Sequence, residues 1–406
     1  MPAPAPARTL VAEGAPRGGL AALCITQTTG WGVLYYALIA AVLPISEDTG
    51  WDPAVVTGAF SVGLLVSAAA GIGVGRILDR TGPRDLMIGG SLLGVLALVL
   101  VATAPNLPVF FGAWLLAGTA QAAVFYQPAF TVISRWYGPA RIRPLTILTL
   151  VAGFASTIFA PVTAALTSAF GWRSAFIFLA GVLGLVTVPL HARYLNRRWS
   201  PTAVGSNGPA HRAALRNIRR SPDFLGLQLL MVLLCLGLYT VTLNIVPLLM
   251  EKGAGHATAA FGLGLVGVGQ VGGRLLFAGI PPGARLPVIT GTAAGAVLLL
   301  AVLPGPVPVL IAAGMLAGAV RGCQTLLQAT LVADRWGTGS LGTLQGHFAA
   351  PLTAVTALAP AAGPLLAGWL GTYTGMSHAM AATALAAVLL AAVFRVKETR
   401  GEEQQS

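Results

Sequence analysis

Charged residues are scarce in this chain of 406 residues, since Asp, Glu, Lys and Arg make up only 9% of it, and about a quarter is usual for a soluble protein. Each of the 12 acidic residues lies in a loop, in a tail or at the end of an apolar run. Three cysteines, Cys24, Cys235 and Cys323, offer neither a disulfide framework nor metal-ligand spacing. These shortages exclude an ordinary soluble domain, a cystine-rich secreted domain and a structural zinc protein.

Groupings typical of catalysis are also lacking. The sequence contains no Ser-His-Asp grouping and no phosphate-binding loop followed by Lys. We therefore expect neither an enzyme nor an ATP-driven pump, and we expect no metal or other cofactor.

Apolar residues, in contrast, are abundant, at 56% of the chain with a mean hydropathy of +0.80. They form runs of roughly 20 residues, each long enough to cross a hydrocarbon layer of about 30 Å as a helix. Many of the 51 glycines lie inside these runs, where small residues let membrane helices pack closely. The sequence predicts an all-α membrane protein with twelve transmembrane helices, spans 1 to 12, at about 20–43, 54–76, 85–103, 107–133, 145–167, 172–192, 223–250, 257–279, 286–303, 307–333, 342–367 and 374–394.

One long polar connection divides the spans into six plus six. It covers residues 193–222 and carries His211 and seven arginines. We predict a first six-helix bundle at 20–192, a second at 223–396, a disordered tail at 1–19 and a short tail at 397–406. The first apolar run is too long for a signal peptide and lacks a cleavage site, so we expect it to be retained as span 1.

Lysine and arginine are distributed unevenly between the loops. With the N-terminus inside, cytoplasmic segments hold most of the 24 basic residues, and only Arg173 and Lys252 fall in external loops. By the positive-inside rule, both termini are cytoplasmic and the chain is a multi-pass protein of the cell inner membrane. The net charge of +12 therefore reflects topology in a lipid bilayer and does not indicate a nucleic-acid partner.

The two halves repeat each other. Ala117-Gly118 with Arg135-Trp136 recurs as Ala317-Gly318 with Arg335-Trp336. Two parallel six-helix repeats joined by a long cytoplasmic loop resemble the major facilitator fold, in which solute binds at midplane between the halves.

The loop between spans 2 and 3 resembles the G-x-L-a-D-R-x-G-R loop of the major facilitator superfamily. The resemblance implies a conformational gate, in which Asp79 faces the positive N-terminal end of span 11, near Ser340. The predicted gate residues are Gly75, Arg76, Asp79, Arg80, Gly82 and Arg84.

Three further stretches resemble the monocarboxylate-porter and oxalate/formate-exchanger-like branch of that superfamily. They are Thr29-Gly30-Trp31-Gly32 followed by Tyr35, Pro128 to Leu145, and Gly363 to Gly375. The resemblance implies transport of a small organic anion.

Two arginines lie inside predicted spans. Arg321 is near the centre of span 10, where insertion of a charge costs about 2.5–3.5 kcal/mol, and we expect it to face a central cavity. An alternative is an Arg that bonds backbone carbonyls or tyrosines. For Arg274, the family resemblance implies contact with a substrate carboxylate, whereas alignment with Arg76 implies a gating or anchoring residue at the cytoplasmic end.

The chain departs from the branch at its proton-carrying position. The family's Asp falls at Gln270 here, and His347 is the one group predicted at midspan that titrates near neutral pH. Proton coupling, exchange and facilitated diffusion therefore all stay open. The remaining candidates for substrate contact are Gln27, Tyr35, Tyr36, Tyr126, Gln127, Asn244, Gln324 and Gln328, of which the last two share a helix face with Arg321.

We expect a monomeric secondary transporter for a small, anionic solute, a mono- or dicarboxylate. One alternative is an exporter of amphipathic drugs or metabolites, with Trp31, Tyr35, Tyr36, Phe125 and Tyr126 lining an apolar pocket. Another is a transporter-like membrane receptor, although the short tail and linker offer little surface for signalling.

Overall fold

The computed structural model describes residues 15–196, 199 and 208–403, with side chains described up to residue 392. The predicted tails 1–19 and 397–406 lie largely outside the described residues or side chains, as do the linker residues Arg197 and Arg198. Throughout the described part the only regular secondary structure is helical. The predicted all-α fold is confirmed.

Ten stretches of the described chain are long and apolar enough to cross a membrane, and one of them, Leu107–Tyr194, is 88 residues long. A straight helix of that length would extend about 130 Å at 1.5 Å per residue, so it must fold back. It reverses at the 3₁₀ turn Gly138–Arg141 and at Gly171, where φ is 78° and ψ is 158°. The stretch therefore holds spans 4, 5 and 6, which makes twelve spans in the described chain.

The observed helices extend most of the predicted spans by several residues. The first half contains span 1 (Gly19–Thr49), span 2 (Pro53–Thr81), span 3 (Pro83–Thr103), span 4 (Leu107–Val124 and Tyr126–Tyr137), span 5 (Ile142–Gly153 and on to residue 170) and span 6 (172–194). A linker helix, Pro209–Arg220, precedes the second half. That half contains span 7 (Pro222–Leu243 and Ile245–Glu251), span 8 (His256–Leu276), span 9 (Pro282–Val302), span 10 (Val307–Trp336), span 11 (Leu341–Leu370) and span 12 (Tyr373–Glu403).

Several spans begin at a capping side chain followed by proline. Asp52 accepts a hydrogen bond from the amide of Ala54, and Asn106 accepts one from the amide of Val109. Ser221 does the same for Phe224. Such caps satisfy amides that have no partner inside the helix, and proline at the first turn loses no helical hydrogen bond. The short loops are thereby fixed close to the helix ends.

Four spans are interrupted along their length. Span 1 contains a π-helical turn at Gly32–Tyr36, and spans 4, 5 and 7 break at Phe125, Phe154 and Asn244. Such breaks free backbone carbonyls, which need a polar partner inside a membrane.

Two buried glutamines supply that partner between spans 1 and 4. The side-chain amide of Gln27 donates to the carbonyl of Val124, and that of Gln121 donates to the carbonyl of Leu34. The breaks in these two spans are therefore held against each other.

Glycines set the closest helix crossings. A Cβ added at Gly118 would lie 2.0 Å from the carbonyl oxygen of Gly63, and one added at Gly318 would lie 2.0 Å from that of Val266. These glycines are the repeated pair of the sequence, and they make the same contact in each half, between spans 2 and 4 and between spans 8 and 10. The repeat therefore has a packing origin.

Candidate transport site and gate

Arg321 is the fifteenth of the 30 residues in span 10, at the middle of the helix. Its guanidinium lies over the ring of Tyr239, 4.2 Å from the centroid, and donates to the hydroxyl of Thr242 over 3.1 Å. Its Nε atom is buried without a partner. No acidic residue of the described chain pairs with it. A half-buried cation therefore stands at midspan with unused hydrogen-bonding capacity.

Span 1 faces this cation from the other half. Tyr35 and Tyr36 lie in the π-helical turn and are close enough to Arg321 to interact electrostatically with it. Tyr36 also lies close to Ser156 of span 5 and within electrostatic range of Arg274. The π-turn thus directs two phenol groups toward the interface between the halves.

Aromatic rings extend this surface along spans 1 and 4. Trp31 stacks on Phe125 with centroids 4.1 Å apart and contacts Tyr35 and Tyr126 at 5.3 and 5.0 Å. Tyr126 in turn stacks on Phe130. The predicted aromatic residues therefore form one continuous cluster beside the tyrosines that face Arg321.

Arg274 connects the two halves. It lies in the last turn of span 8, is buried, and donates to the carbonyl of Thr149 in span 5 over 2.8 Å. Its Nε atom has no hydrogen-bond partner. Gln270 lies one turn earlier and is half-buried. Arg274 thus combines features of both predicted alignments, because it anchors a helix end and also lies near Tyr36.

The predicted polar stripe of span 10 is part of a hydrogen-bonded network. Gln324 is buried, accepts from the hydroxyl of Tyr239 and donates to Gln328 and to the sulfur of Cys235, each over 3.2 Å. Tyr239 therefore links this network to Arg321. It was missed by the sequence analysis, although a tyrosine in the middle of span 7 is a signal of the same kind as Tyr35.

Three other predicted substrate contacts bond to helix backbone or lie against a neighbouring helix. Asn244 donates to the carbonyls of Thr240 and Ala359, and Gln27 to that of Val124, so both amides satisfy helix breaks. Gln127 is half-buried and lies against Gly71 of span 2.

His347 lies within the first two turns of span 11, and its midspan position in the sequence analysis is wrong. Its Nδ1 atom is 2.8 Å from the carbonyl of Thr343, which can only accept, so Nδ1 donates. Its Nε2 atom therefore accepts, from Arg76 of span 2 at 3.2 Å and from Arg219 of the linker helix. The histidine belongs to the contacts between the halves at the end of the molecule where spans 2, 4, 8 and 10 finish, the arginine-rich end.

Asp79 lies at the centre of these contacts. Its carboxylate accepts from the amides of Gly342 and Thr343 over 3.0 and 2.6 Å, at the N-terminus of span 11 as the resemblance implies. Arg135 donates to the same carboxylate over 3.1 Å and to the carbonyls of Thr338 and Gly339. A buried charge is thus matched by a cation and by a helix end.

The remaining gate residues differ in exposure. Gly75 crosses span 11 so closely that an added Cβ would lie 2.0 Å from the carbonyl oxygen of Gly342. Gly82 ends span 2 with φ of 83°, a conformation that favours glycine. Arg80 and Arg84 are exposed.

Two further links close the arginine-rich end. Arg141 forms an ion pair with Asp334 of span 10, and His211 of the linker helix contacts the hydroxyl of Ser340 over 3.1 Å. At the opposite end, the ion pair of Asp48 with Arg173 stays within the first half. The described hydrogen bonds of Glu251 and Lys252 stay within the second half. The side-chain contacts therefore tie the halves together at the arginine-rich end.

Comparison with known proteins identifies the family of the chain. The sequence model of the Major Facilitator Superfamily matches residues 22–350. Monocarboxylate transporter 13 of Bos taurus is 26% identical over 328 residues, which cover 79% of this chain and 74% of that protein. The Oxalate:formate antiporter of Oxalobacter formigenes is 23% identical over 170 residues, 42% of this chain and 40% of that protein.

Solved structures of transporters share the fold. FucP in the outward conformation superposes with a TM-score of 0.71 at 15% identity, covering 93% of this chain and 98% of FucP. The human organic anion transporter MFSD10 superposes with a TM-score of 0.67 at 17% identity, covering 92% and 99%. These likenesses show the fold alone. Because the family match extends over most of the sequence, the chain belongs to the Major Facilitator Superfamily of membrane transporters.

Proposed function

We propose that the protein moves a small organic anion, a mono- or dicarboxylate, across the cell inner membrane by alternating access. The observation that carries the proposal is Arg321, a half-buried guanidinium at midspan that pairs with no described acidic residue. A charge at this depth costs about 2.5–3.5 kcal/mol on insertion scales. A carboxylate offsets that cost and can occupy the unused donor of the guanidinium.

The surrounding groups suit a carboxylate. Tyr35 and Tyr36 lie within electrostatic range of Arg321 from the opposite half, and their hydroxyls can donate to an anion. Arg274 supplies a second positive charge near Tyr36. The other proposed substrate contacts are Gln27, Tyr126, Gln127, Asn244, Gln270, Gln324 and Gln328, whereas His347 is left out because it lies at the arginine-rich end. The named activities of the monocarboxylate-transporter and oxalate:formate-antiporter relatives support the same substrate class.

The gate contacts suit alternating access. Asp79, Arg135 and His347 join the halves at the arginine-rich end, and we place this end and both termini in the cytoplasm. Gly75, Arg76, Arg80, Gly82 and Arg84 complete the proposed gate. The described form then has its cytoplasmic side closed, and the solute crosses as the halves rock about Arg321. We expect a monomer to suffice.

The titratable groups of the site indicate how transport is driven. Gln270 replaces the branch's carboxylate, and His347 lies at the gate rather than beside Arg321. Exchange or facilitated diffusion therefore fits the site better than proton carriage by a carboxylate.

Counterflow into liposomes tests the proposal. Liposomes that contain the purified protein are loaded with unlabelled pyruvate, lactate, oxalate or formate, and uptake of the same labelled acid is followed. Arg321→Gln should abolish uptake, while Arg321→Lys, which keeps the charge, should retain part of it. If folded Arg321→Gln transports normally, the guanidinium has only a structural role and the proposal fails.

An exporter of amphipathic compounds is a second candidate, favoured by the continuous aromatic cluster of Trp31, Phe125 and Tyr126. It predicts transport of an uncharged aromatic compound that carboxylates do not inhibit. Uptake of no acid by folded protein, together with such transport, would favour this candidate.

A further inference from the structure

A crevice outside the transport site opens at the arginine-rich end of the first half. Its polar part, about 490 Å³, is lined by Arg17, Arg193, Tyr194 and Asn196. Its apolar part, about 880 Å³, lies between the residues that precede span 1 and the surfaces of spans 1, 4 and 5. Both parts are lined by Pro16 and Arg17, so they form one continuous crevice with a polar mouth.

The mouth is positively charged and unneutralised. Arg17 and Arg193 are both exposed, and neither forms an ion pair with a described acidic residue. Arg193 lies over the ring of Tyr194, 5.6 Å from its centroid. Among the described residues that line the two parts of the crevice, none is acidic. The mouth therefore suits a phosphate or another anionic head group.

The apolar part leads from the mouth into the membrane. Ala21 and Ile25 of span 1 form one wall, and Ile147 and Val151 of span 5 form the other. Ile25, Ile147 and Val151 are 47%, 37% and 38% exposed, and exposed apolar side chains on a transmembrane helix face lipid. From Gly19, where the helix begins, to Ile25 the chain rises about 9 Å at 1.5 Å per residue. The walls therefore run beside the acyl chains of the adjacent leaflet.

We propose that this crevice is a binding site for an anionic phospholipid. The phosphate and its head group lie between Arg17 and Arg193, and an acyl chain lies along the groove between spans 1 and 5. Charge complementarity selects an anionic over a zwitterionic lipid, and the groove selects a lipid over a free phosphate.

The site adjoins the helix that carries the contacts of Arg274. The carbonyl of Val151 accepts a hydrogen bond from Thr28 of span 1, and Thr149 and Gly153 of the same helix contact Arg274. A lipid in the groove therefore packs on the outer side of the segment whose inner side meets the second half. The proposal does not rest on the identity of the transported solute.

Native mass spectrometry of the purified chain tests the site. The protein is mixed with equal amounts of phosphatidylglycerol and phosphatidylcholine, and the bound lipids are counted. We expect retention of one phosphatidylglycerol. Each basic residue near an anionic lipid contributes about fivefold to affinity, so Arg17→Gln with Arg193→Gln should weaken retention by about thirtyfold. A matched control is Arg212→Gln with Arg216→Gln, which removes two exposed linker-helix arginines and should change nothing.

A second variant separates the head group from the chain. Ala21→Trp fills the groove without changing a charge, and it should also release the lipid. Glycerophosphoglycerol, the soluble head group, should compete poorly. The proposal is overturned if phosphatidylcholine is retained equally well, or if the Arg17 and Arg193 variant behaves as its control. Strong competition by glycerophosphoglycerol with no effect of Ala21→Trp would also overturn it, and would indicate a site for free anions.

Discussion

The crossing of spans 2 and 11 at Gly75 offers a direct test of the gate. In Gly75→Ala, the new methyl group would lie 2.0 Å from the carbonyl oxygen of Gly342 and 2.7 Å from its carbon. Ordinary contact begins at 3.4 Å, and the neighbouring atoms belong to a helix backbone, which no rotamer change can move. The helices must therefore separate by about 1 Å or more at the gate.

The cost can be estimated from overpacked protein cores, where one extra methyl group destabilises the packed state by about 1–3 kcal/mol. Here that cost applies only to the form in which the arginine-rich end is closed. The equilibrium should therefore shift toward the open form by about 5- to 150-fold. Gly73→Ala is the matched control, because it lies in the same helix, gains the same helix propensity, and has nothing within 4 Å of the added carbon.

Spin labels measure this shift. Arg84 and Gly283 are exposed at the arginine-rich end, on opposite halves, and pulsed dipolar spectroscopy between labelled cysteines at these positions reports the distance between the halves. The long-distance population should grow in Gly75→Ala and remain unchanged in Gly73→Ala. Identical distributions in the two variants would refute the argument that backbone contact at Gly75 limits opening.

Three further predictions concern polar contacts. Asp79→Asn should weaken the closed gate by about 1.5–3 kcal/mol, because charged hydrogen bonds to two amides and an ion pair are lost. The long-distance population of the same spin-label pair should therefore grow. A protonated His347 cannot accept from the two arginines, so acidification at the arginine-rich end should open the gate, and in His347→Gln the same distance measurement should be independent of pH. Burial raises the pKa of Glu251, but hydrogen bonds from Thr374 and Tyr373 and the charge of Lys252 outweigh it and lower that pKa. Glu251→Gln should therefore lower the free energy of unfolding at neutral pH by less than about 1 kcal/mol, with a slightly lower Tm. This difference in stability should vanish as the pH falls below the pKa of Glu251 in the folded protein. An unchanged difference at low pH would contradict this linkage.

The number of spans could be predicted from the sequence because lipid requires about 20 apolar residues for each crossing. The polar partners of the helix breaks could not. Pro128 lacks the N–H that would bond the carbonyl of Val124, so it favours a break near Phe125. The group that satisfies the freed carbonyl is Gln27 of another span, 97 positions away, and no local pattern indicates it.

The position of a polar residue along its span was also hard to predict from the sequence. Arg321 was placed correctly because it lies far from both ends of a long apolar run. His347 was misplaced because span 11 is rich in small residues throughout and gives no local signal of depth. Its position is defined by Arg76 and Arg219, which come from distant parts of the chain. The role of Arg135 depends in the same way on carbonyls about 200 positions away.

A guanidinium at midspan that no described acidic residue neutralises also has an electrical consequence. A unit charge that crosses the whole membrane field gains or loses about 2.3 kcal/mol per 100 mV. If Arg321 is solvated from one side and then from the other as the halves rock, the empty protein carries part of a positive charge through that field. With a bound monoanion the moving charge is cancelled. Membrane potential would then change the rate of net transport, which needs the empty protein to return, and would leave one-for-one exchange of monoanions unaffected.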